Sequence, residues 1–301
     1  MPPLRSYGDP GRVPGCRGEN IYVFASSVAR VMEVDFMRTF VKYLQLIFCY
    51  FKVNLASALE YRASFAVQAF GIAISNASFI FFWWIAFEQL GGRIGGYDFN
   101  DVLFLWSIAP TAFGLSYIVF GNMNQITRLI VTGELDTYLL QPKDVLISLL
   151  SARTTLSSWG DFFYGFILLA VSQGKNPGVW PAFIIGVILG ALLFTAIAVS
   201  AHSLTFFLGD ASLAGSLGSE FVITFSIYPL GIYPQIVRFL MYSLIPAAFI
   251  SHIPLQLAKN FSPHLLLIQC AFTVMYCLFA YWLFNKGLAR YESGNLIVTR
   301  M

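Results

Sequence analysis

Residues 122–144 read NMNQITRLIVTGELDTYLLQPKD and form a polar segment between long apolar blocks. Its charged residues are Arg128, Glu134, Asp136, Lys143 and Asp144. Only 11% of the 301 residues are charged, so this one connection is unusually rich in charge. A segment that merely joined two apolar blocks would not need these charges. We therefore expect a partner on the aqueous side to contact it.

The composition indicates that lipid is the solvent for most of the chain. Hydrophobic residues make up 57% of it, aromatic residues 17%, and the mean hydropathy is +0.71. Soluble domains are less apolar and carry about 25% charged residues. A net charge of +3, without a basic stripe that alternates with aromatic residues, gives no support to a nucleic-acid partner.

Six apolar blocks predict an all-α polytopic membrane protein, because each is long enough to cross a bilayer at about 20 residues per span. They cover roughly residues 63–87, 102–120, 145–172, 180–208, a fifth span within 218–253, and 265–284. The transmembrane domain is thus expected over residues 63–290, with the polar segment 122–144 between the second and third spans.

The ends of the chain differ from this pattern. Residues 1–31 are rich in glycine and proline, and we expect a disordered tail or a wrongly assigned start, with Met32 and Met37 as alternative starts. Residues 32–62 place apolar side chains at steps of three and four among basic ones, which predicts an amphipathic helix in the membrane interface. Residues 291–301 form a C-terminal tail.

Lysine and arginine flank the blocks unevenly. They concentrate before the first block, around residues 122–153 and after the sixth block, whereas the opposite loops offer Arg93, Lys175 and Lys259. Since short cytoplasmic flanks are enriched in these residues, both termini and residues 122–144 are predicted to be cytoplasmic. This arrangement needs an even number of spans.

The fifth block is interrupted by prolines. Pro229, Pro234, Pro246 and Pro254 cannot all lie in one straight helix, because each removes a backbone donor and clashes with the preceding turn. A broken or re-entrant region is therefore predicted after the fifth span. Arg238 would be costly in lipid, so we place it at the extracytoplasmic surface or in a re-entrant hairpin that faces protein.

The third block carries Asp161 near its middle and Arg153 eight residues earlier, on a broad common face if the helix is continuous. One interpretation is the wall of an aqueous path or a charge used in coupling. A second is that the span begins late, with Arg153 at the interface. A third is that a neighbouring helix satisfies Asp161. These alternatives stay open from the residues alone.

Motifs for chemistry are missing from the chain. There is no GxxxxGK[ST] phosphate loop, no GxSxG nucleophile elbow and no HExxH metal motif. We therefore predict no catalytic residues, no metal site and no cofactor on this chain, and an intramembrane enzyme is the weakest hypothesis.

Residues 122–144 have the features of a docking element. Residues 127–131 predict a short helix that Gly133 ends, as glycine commonly does after a helix. Acidic and apolar residues follow, and the contacts we expect with a soluble partner are Leu129, Glu134, Leu135 and Asp136. The alternative is a solvated loop, which would not need so many apolar side chains.

Two motifs resemble a known family. Gly133-Glu134-Leu135-Asp136, followed by Leu139-Leu140-Gln141-Pro142, resembles the cytoplasmic loop of ABC-2 type permeases, the membrane subunits of bacterial ABC exporters. The resemblance is strongest to a subfamily long carried as a domain of unknown function. The proline-rich stretch around Arg238 resembles the fifth-span region of that family. The resemblance covers about residues 32–300, and Gln141 departs from it because the family has a basic residue there.

The resemblance implies a type V exporter-like fold in the bacterial inner membrane. It also implies a separate ATPase that binds ATP and Mg²⁺, and a second permease, either a copy or a paralogue. The residues it assigns to ATPase coupling are Arg128, Leu129, Gly133, Glu134, Leu135, Asp136 and Pro142. The substrate is not indicated.

An ion-coupled secondary transporter is the alternative function, with Asp161 and Arg153 as coupling groups. It predicts broken helices in matching positions of both halves. The sequence has one such region, in the second half.

Overall fold

The computed structural model describes residues 41–292, except for residues 58, 61, 174, 175 and 244. The predicted tail 1–31, the first part of the predicted interfacial helix and nearly all of the C-terminal tail lie outside the described residues. The chain divides into two units, Met1–Leu46 and Ile47–Met301. In the first unit, residues 41–46 are helical.

The second unit is built almost entirely from helices. Residues 47–57 are helical, and after them come α1 (Arg62–Gln89), α2 (Phe99–Phe120), α3 (Ile126–Val131), α4 (Asp136–Leu139), α5 (Val145–Ser151), α6 (Ser158–Gln173), α7 (Val179–Ser203), α8 (Thr205–Leu208), α9 (Ser212–Ile227), α10 (Gln235–Tyr242), α11 (His252–Lys259) and α12 (Pro263–Leu288). Short 3₁₀ turns occupy Met123–Gln125, Leu230–Ile232 and Ala247–Phe249. One antiparallel hairpin, β1 (Arg93–Ile94) and β2 (Tyr97–Asp98), joins α1 to α2.

The lengths of the helices confirm an all-α polytopic membrane protein. Among the described residues, four helical runs are long and apolar enough to cross a membrane: α1, α2, Val179–Leu208 and α12. A fifth is added if the bent pair made by α10 and Ala247–Lys259 counts as one span. The predicted third and fifth spans are represented by α6 and α9, each of 16 residues. A helix of that length is about 24 Å long, short of the ~30 Å hydrocarbon core.

The third block was predicted as one continuous helix, but the structure shows a break. It divides into α5 and α6, and residues 152–157 between them are not helical. Hydrogen bonds to α2 explain the break: the Thr154 hydroxyl donates to the Ile118 carbonyl at 2.7 Å, and the Thr155 N–H donates to the Tyr117 carbonyl at 3.2 Å. Threonine and serine often give the backbone such alternatives to the helix.

Two helices form the centre of the bundle and two lie at its periphery. In their most apolar stretches, 78% of the residues of α2 and 72% of those of Val179–Leu208 are buried, against 11% for α1 and 17% for α12. Close contact at the centre depends on small residues. A Cβ on Gly186 would lie 2.7 Å from Ile108 Cδ1 and 2.8 Å from Pro254 Cβ, so α2, α7 and α11 pack too closely there for a larger residue.

The predicted break after the fifth span is confirmed. Pro229 and Pro246 each precede a 3₁₀ turn, Pro234 precedes α10, and Pro254 lies in the first turn of α11, where a missing N–H is tolerated. The bent pair turns by 67°. Arg238 is exposed and donates to the carbonyls of Tyr233 at 2.8 Å and Gly231 at 3.2 Å.

Candidate functional site

The polar connection, residues 122–144, is called the coupling segment below. A 3₁₀ turn leads directly into α3, and Gly133 follows α3 with φ of 76°, a left-handed conformation that favours glycine. The chain then reverses, so that the Leu135 N–H donates to the Leu129 carbonyl at 3.1 Å. The result is a compact knuckle, followed by α4 and by Asp144. The carboxylate of Asp144 caps α5 by accepting from the Ile147 N–H at 2.9 Å.

The apolar side chains of the knuckle face the bundle. Leu129 is 4% exposed and Leu135 is fully buried, and both belong to the main hydrophobic core. The same is true of Met123, Ile126 and Ile130. Leu129 and Leu135 therefore pack within the chain rather than on its surface, which differs from our expectation that they contact a partner directly. The apolar pattern in this segment reflects attachment to the bundle.

Polar contacts fix the segment to four neighbouring helices. The Thr127 hydroxyl lies 2.9 Å from His202 Nδ1 on α7 and 3.0 Å from Thr205 Oγ1 on α8. Asn122 Nδ2 donates to the Leu149 carbonyl of α5 at 2.8 Å. The Tyr281 hydroxyl of α12 donates to Asp144 Oδ2 at 2.8 Å. Because these contacts lie at both ends of the segment and at Thr127, a force applied to it would reach several helices.

The outer face of the segment carries the charges. Arg128 Nη1 and Glu134 Oε1 form an ion pair at 2.6 Å, with both side chains nearly half exposed. Pro142 and Lys143 are also exposed, and Leu140 is 87% exposed. An exposed ion pair contributes about 0–1 kcal/mol to stability, so folding alone gives little reason for this pair.

Two tyrosines, Tyr138 within the segment and Tyr291 next to it, are uncharged. Burial raises the pKa of Tyr291 to about 12, and the neighbouring Asp136 carboxylate adds to the effect. Burial also raises the pKa of Tyr138 above its ordinary value. Both hydroxyls are therefore protonated near pH 7, and the charge pattern of this face comes from its arginine, lysine and carboxylate side chains.

Arg153 and Asp161 do not share a helix. Arg153 is exposed in the break between α5 and α6, whereas Asp161 lies in the first turn of α6. Asn76 Nδ2 of α1 donates to Asp161 Oδ1 at 2.7 Å. This geometry agrees with two of the alternatives raised by the sequence: a late-starting span with Arg153 outside it, and an Asp161 that a neighbouring helix satisfies.

A cavity of about 360 Å³ lies beside Asp161 and is lined by α1, α2, α6, α9 and Tyr228. A second carboxylate, Glu220, lines it from α9. Sequence reasoning did not select Glu220. The signal was present, because Glu220 is the one acidic residue in the 16 residues of α9 and charge within an apolar span is a marker of function.

A larger cavity, of about 460 Å³, is lined by the starts of α2 and α7 and by the ends of α6 and α11. There Lys259 Nζ pairs with Asp101 Oδ2 at 2.6 Å, so its charges neutralise each other. Within the part of the chain that the structure describes, no group of three or more His, Cys, Asp or Glu side chains is arranged to hold a metal ion.

These features define a polytopic membrane protein with an anchored polar segment at one end and a carboxylate-lined cavity within the bundle. A family model described as "ABC-2 family transporter protein" matches residues 73–294, well over half of the chain. The chain therefore belongs to the ABC-2 transporter family, and it is a membrane permease of an ABC transporter rather than a catalytic subunit. Neither the comparison with curated proteins nor that with solved structures found a match.

Proposed function

We propose that this chain is the permease of an ABC exporter, that a separate ATPase binding ATP and Mg²⁺ drives it, and that this ATPase docks on the coupling segment. The observation that carries the proposal is the two-sided construction of the segment. Its apolar side is part of the bundle core, while Arg128, Glu134 and Leu140 stand on the surface. The soluble ATPase would bind the exposed charged face, while the buried apolar side holds that face rigidly on the bundle.

The attachment also explains how a push would be transmitted. Leu129 and Leu135 pack in the same core as Phe113 of α2 and Phe194 of α7, whose rings lie 4.7 Å apart. Packed cores are close to crystalline density and transmit displacement rather than absorbing it. ATP-driven movement of the motor would thus shift α2 and α7 together and switch the path between inward and outward access.

A second permease, either a copy or a paralogue, would complete the path. The proposal is supported by the wide apolar surface of α1, where Val67 is 72% exposed and Phe70 is 69% exposed. Such a surface needs lipid or another membrane protein against it. The location that goes with this function is the bacterial inner membrane, with both termini and the coupling segment in the cytoplasm.

The test is a double charge reversal, Glu134→Lys with Asp136→Lys, in the full chain co-expressed with the ATP-binding cassette ATPase of its own genome. We expect loss of ATPase co-purification and loss of transport, because the docking face changes sign. Arg93→Glu is the matched control, since Arg93 forms a similar exposed pair with Asp98 at 2.8 Å in the hairpin. Unchanged assembly of the double variant, with substrate-stimulated ATP hydrolysis, would show that the motor docks elsewhere.

The secondary-transporter alternative predicts that an ion gradient, rather than ATP, drives transport. Its proposed charge pair is weakened by the separate positions of Arg153 and Asp161 and by the amide partner that Asp161 already has. Transport into inverted membrane vesicles would distinguish the two. Transport that stops on ATP depletion supports the exporter, whereas transport that persists without ATP and stops when the proton gradient collapses supports the alternative.

A further inference from the structure

Two of the helices that line the cavity beside Asp161 contribute most of its residues, each along one face. Trp106, Phe113 and Tyr117 line it from α2 at steps of seven and four, and Glu220 and Thr224 line it from α9 at a step of four. Residues at such spacings share a helix face. Both helices therefore present one face to the same space.

The cavity is acidic, and none of the described residues that line it is basic. Asp161 and Glu220 both line it. Asp161 is held by the amide of Asn76, and no lysine or arginine among the described residues forms an ion pair with either carboxylate. Asp161 is half-buried among the helices, whereas Glu220 lines the same space from an exposed position. A carboxylate within an apolar bundle that has no basic partner favours a cation from outside the chain.

Much of the rest of the lining is aromatic. Phe79 and Trp106 stack with their ring centroids 5.2 Å apart, and Tyr228 closes the same space. Aromatic faces attract organic cations through their quadrupoles, most strongly where water is excluded. A bare metal ion would make no use of such walls. The pattern of two carboxylates among aromatic rings therefore fits a cation with a substantial apolar body.

We infer that this cavity binds an amphipathic organic cation, with its positive charge beside Glu220 and Asp161 and its apolar groups against Phe79, Trp106 and Tyr228. In the transport cycle such a cation would be the cargo, and to that extent the inference rests on the proposed function. The cavity volume of about 360 Å³ falls in the range of ordinary small-molecule sites, about 300–1,000 Å³.

The test is equilibrium dialysis of the purified full chain in detergent, without ATPase or ATP, against tetraphenylphosphonium and tetraphenylborate. These probes have nearly the same size and shape but opposite charge. Counts from protein-free micelles are subtracted. We expect saturable binding of tetraphenylphosphonium and none of tetraphenylborate. Equal saturable binding of both ions, or none of either, would overturn the inference.

Two single variants assign the binding to this cavity. Glu220→Gln and Asp161→Asn should each weaken tetraphenylphosphonium binding about tenfold or more, because each removes a negative charge from the cavity while keeping the side-chain shape. Glu88→Gln, an exposed carboxylate of α1 that does not line the cavity, should leave the affinity unchanged. Wild-type affinity in both cavity variants would refute the assignment.

The outcome is separable from that of the docking experiment. Binding here needs no motor, so a failure of ATPase co-purification leaves this result intact. Conversely, a permease that assembles with its ATPase but binds neither ion would keep the proposed function and lose the cationic cargo.

Discussion

Two connections between long helices differ sharply in construction. Residues 90–98 join α1 to α2 through the β1–β2 hairpin, in which four glycines have positive φ. Residues 121–144 separate α2 from α5 with a 3₁₀ turn, two helices and a glycine knuckle. Both carry an exposed arginine–carboxylate pair, Arg93–Asp98 in the hairpin and Arg128–Glu134 in the coupling segment.

The difference lies beneath those pairs. In the hairpin no side chain is buried: Ile94 and Tyr97 are partly buried at the edges of hydrophobic clusters, and the Tyr97 hydroxyl lies 3.2 Å from His252 Nδ1 on α11. In the coupling segment, five apolar side chains enter the main core. A turn that reverses the chain needs only residues that tolerate positive φ. A segment that transmits a force must also be packed rigidly against the rest of the protein. This difference supports the proposal that the ATPase acts on the coupling segment, whereas the hairpin joins two helices.

The largest expected effect comes from truncating a buried apolar side chain of the coupling segment. Leu135→Ala should destabilise the coupling segment by about 2–5 kcal/mol, because it leaves a cavity at a fully buried position. We expect faster tryptic cleavage at Arg128 and Lys143 and reduced ATPase binding, although every exposed charge is retained. The matched change Ile94→Ala in the hairpin should leave ATPase binding unaffected. If Leu135→Ala binds the motor as well as the wild type, the buried apolar side of the segment plays no part in docking.

A smaller effect on stability, but a specific one, is expected from a charge swap. Arg128→Glu combined with Glu134→Arg restores the internal ion pair while reversing the pattern that a partner meets. Stability should change by less than about 1 kcal/mol, because exposed pairs contribute little. Motor-dependent transport should fall nevertheless, which parallel thermal-unfolding and transport assays would show. Full transport by the swapped variant would mean that the pair serves only the local fold.

Much of the architecture was predictable from apolar block length and proline spacing. The bounds of α1, α2, α7 and α12 follow long uninterrupted apolar runs, and the break after Ile227 follows from prolines that a helix interior cannot hold. The break at residues 152–157 was not predictable in this way. It depends on hydrogen bonds from Thr154 and Thr155 to α2, and such contacts between distant segments leave no periodic pattern.

The candidate sites show a similar division. The charged face of the coupling segment could be selected because charge is rare in this chain. The burial of Leu129 and Leu135 could not, since apolar residues in a short helix can equally face a partner or the chain's own core. The pairing of Asp161 with Asn76, and the position of Glu220 on the same cavity, also depend on how α1, α6 and α9 meet.

Site-specific photo-cross-linking tests the central claim, that the motor docks on the coupling segment. A photoreactive residue replaces Leu140, the most exposed apolar side chain of the segment at 87%, in the full chain co-expressed with its ATPase. The same residue at Arg93 in the hairpin is the control. We predict a permease–ATPase adduct from position 140 and none from position 93. No adduct from position 140 in an assembled, ATP-hydrolysing complex would contradict the account.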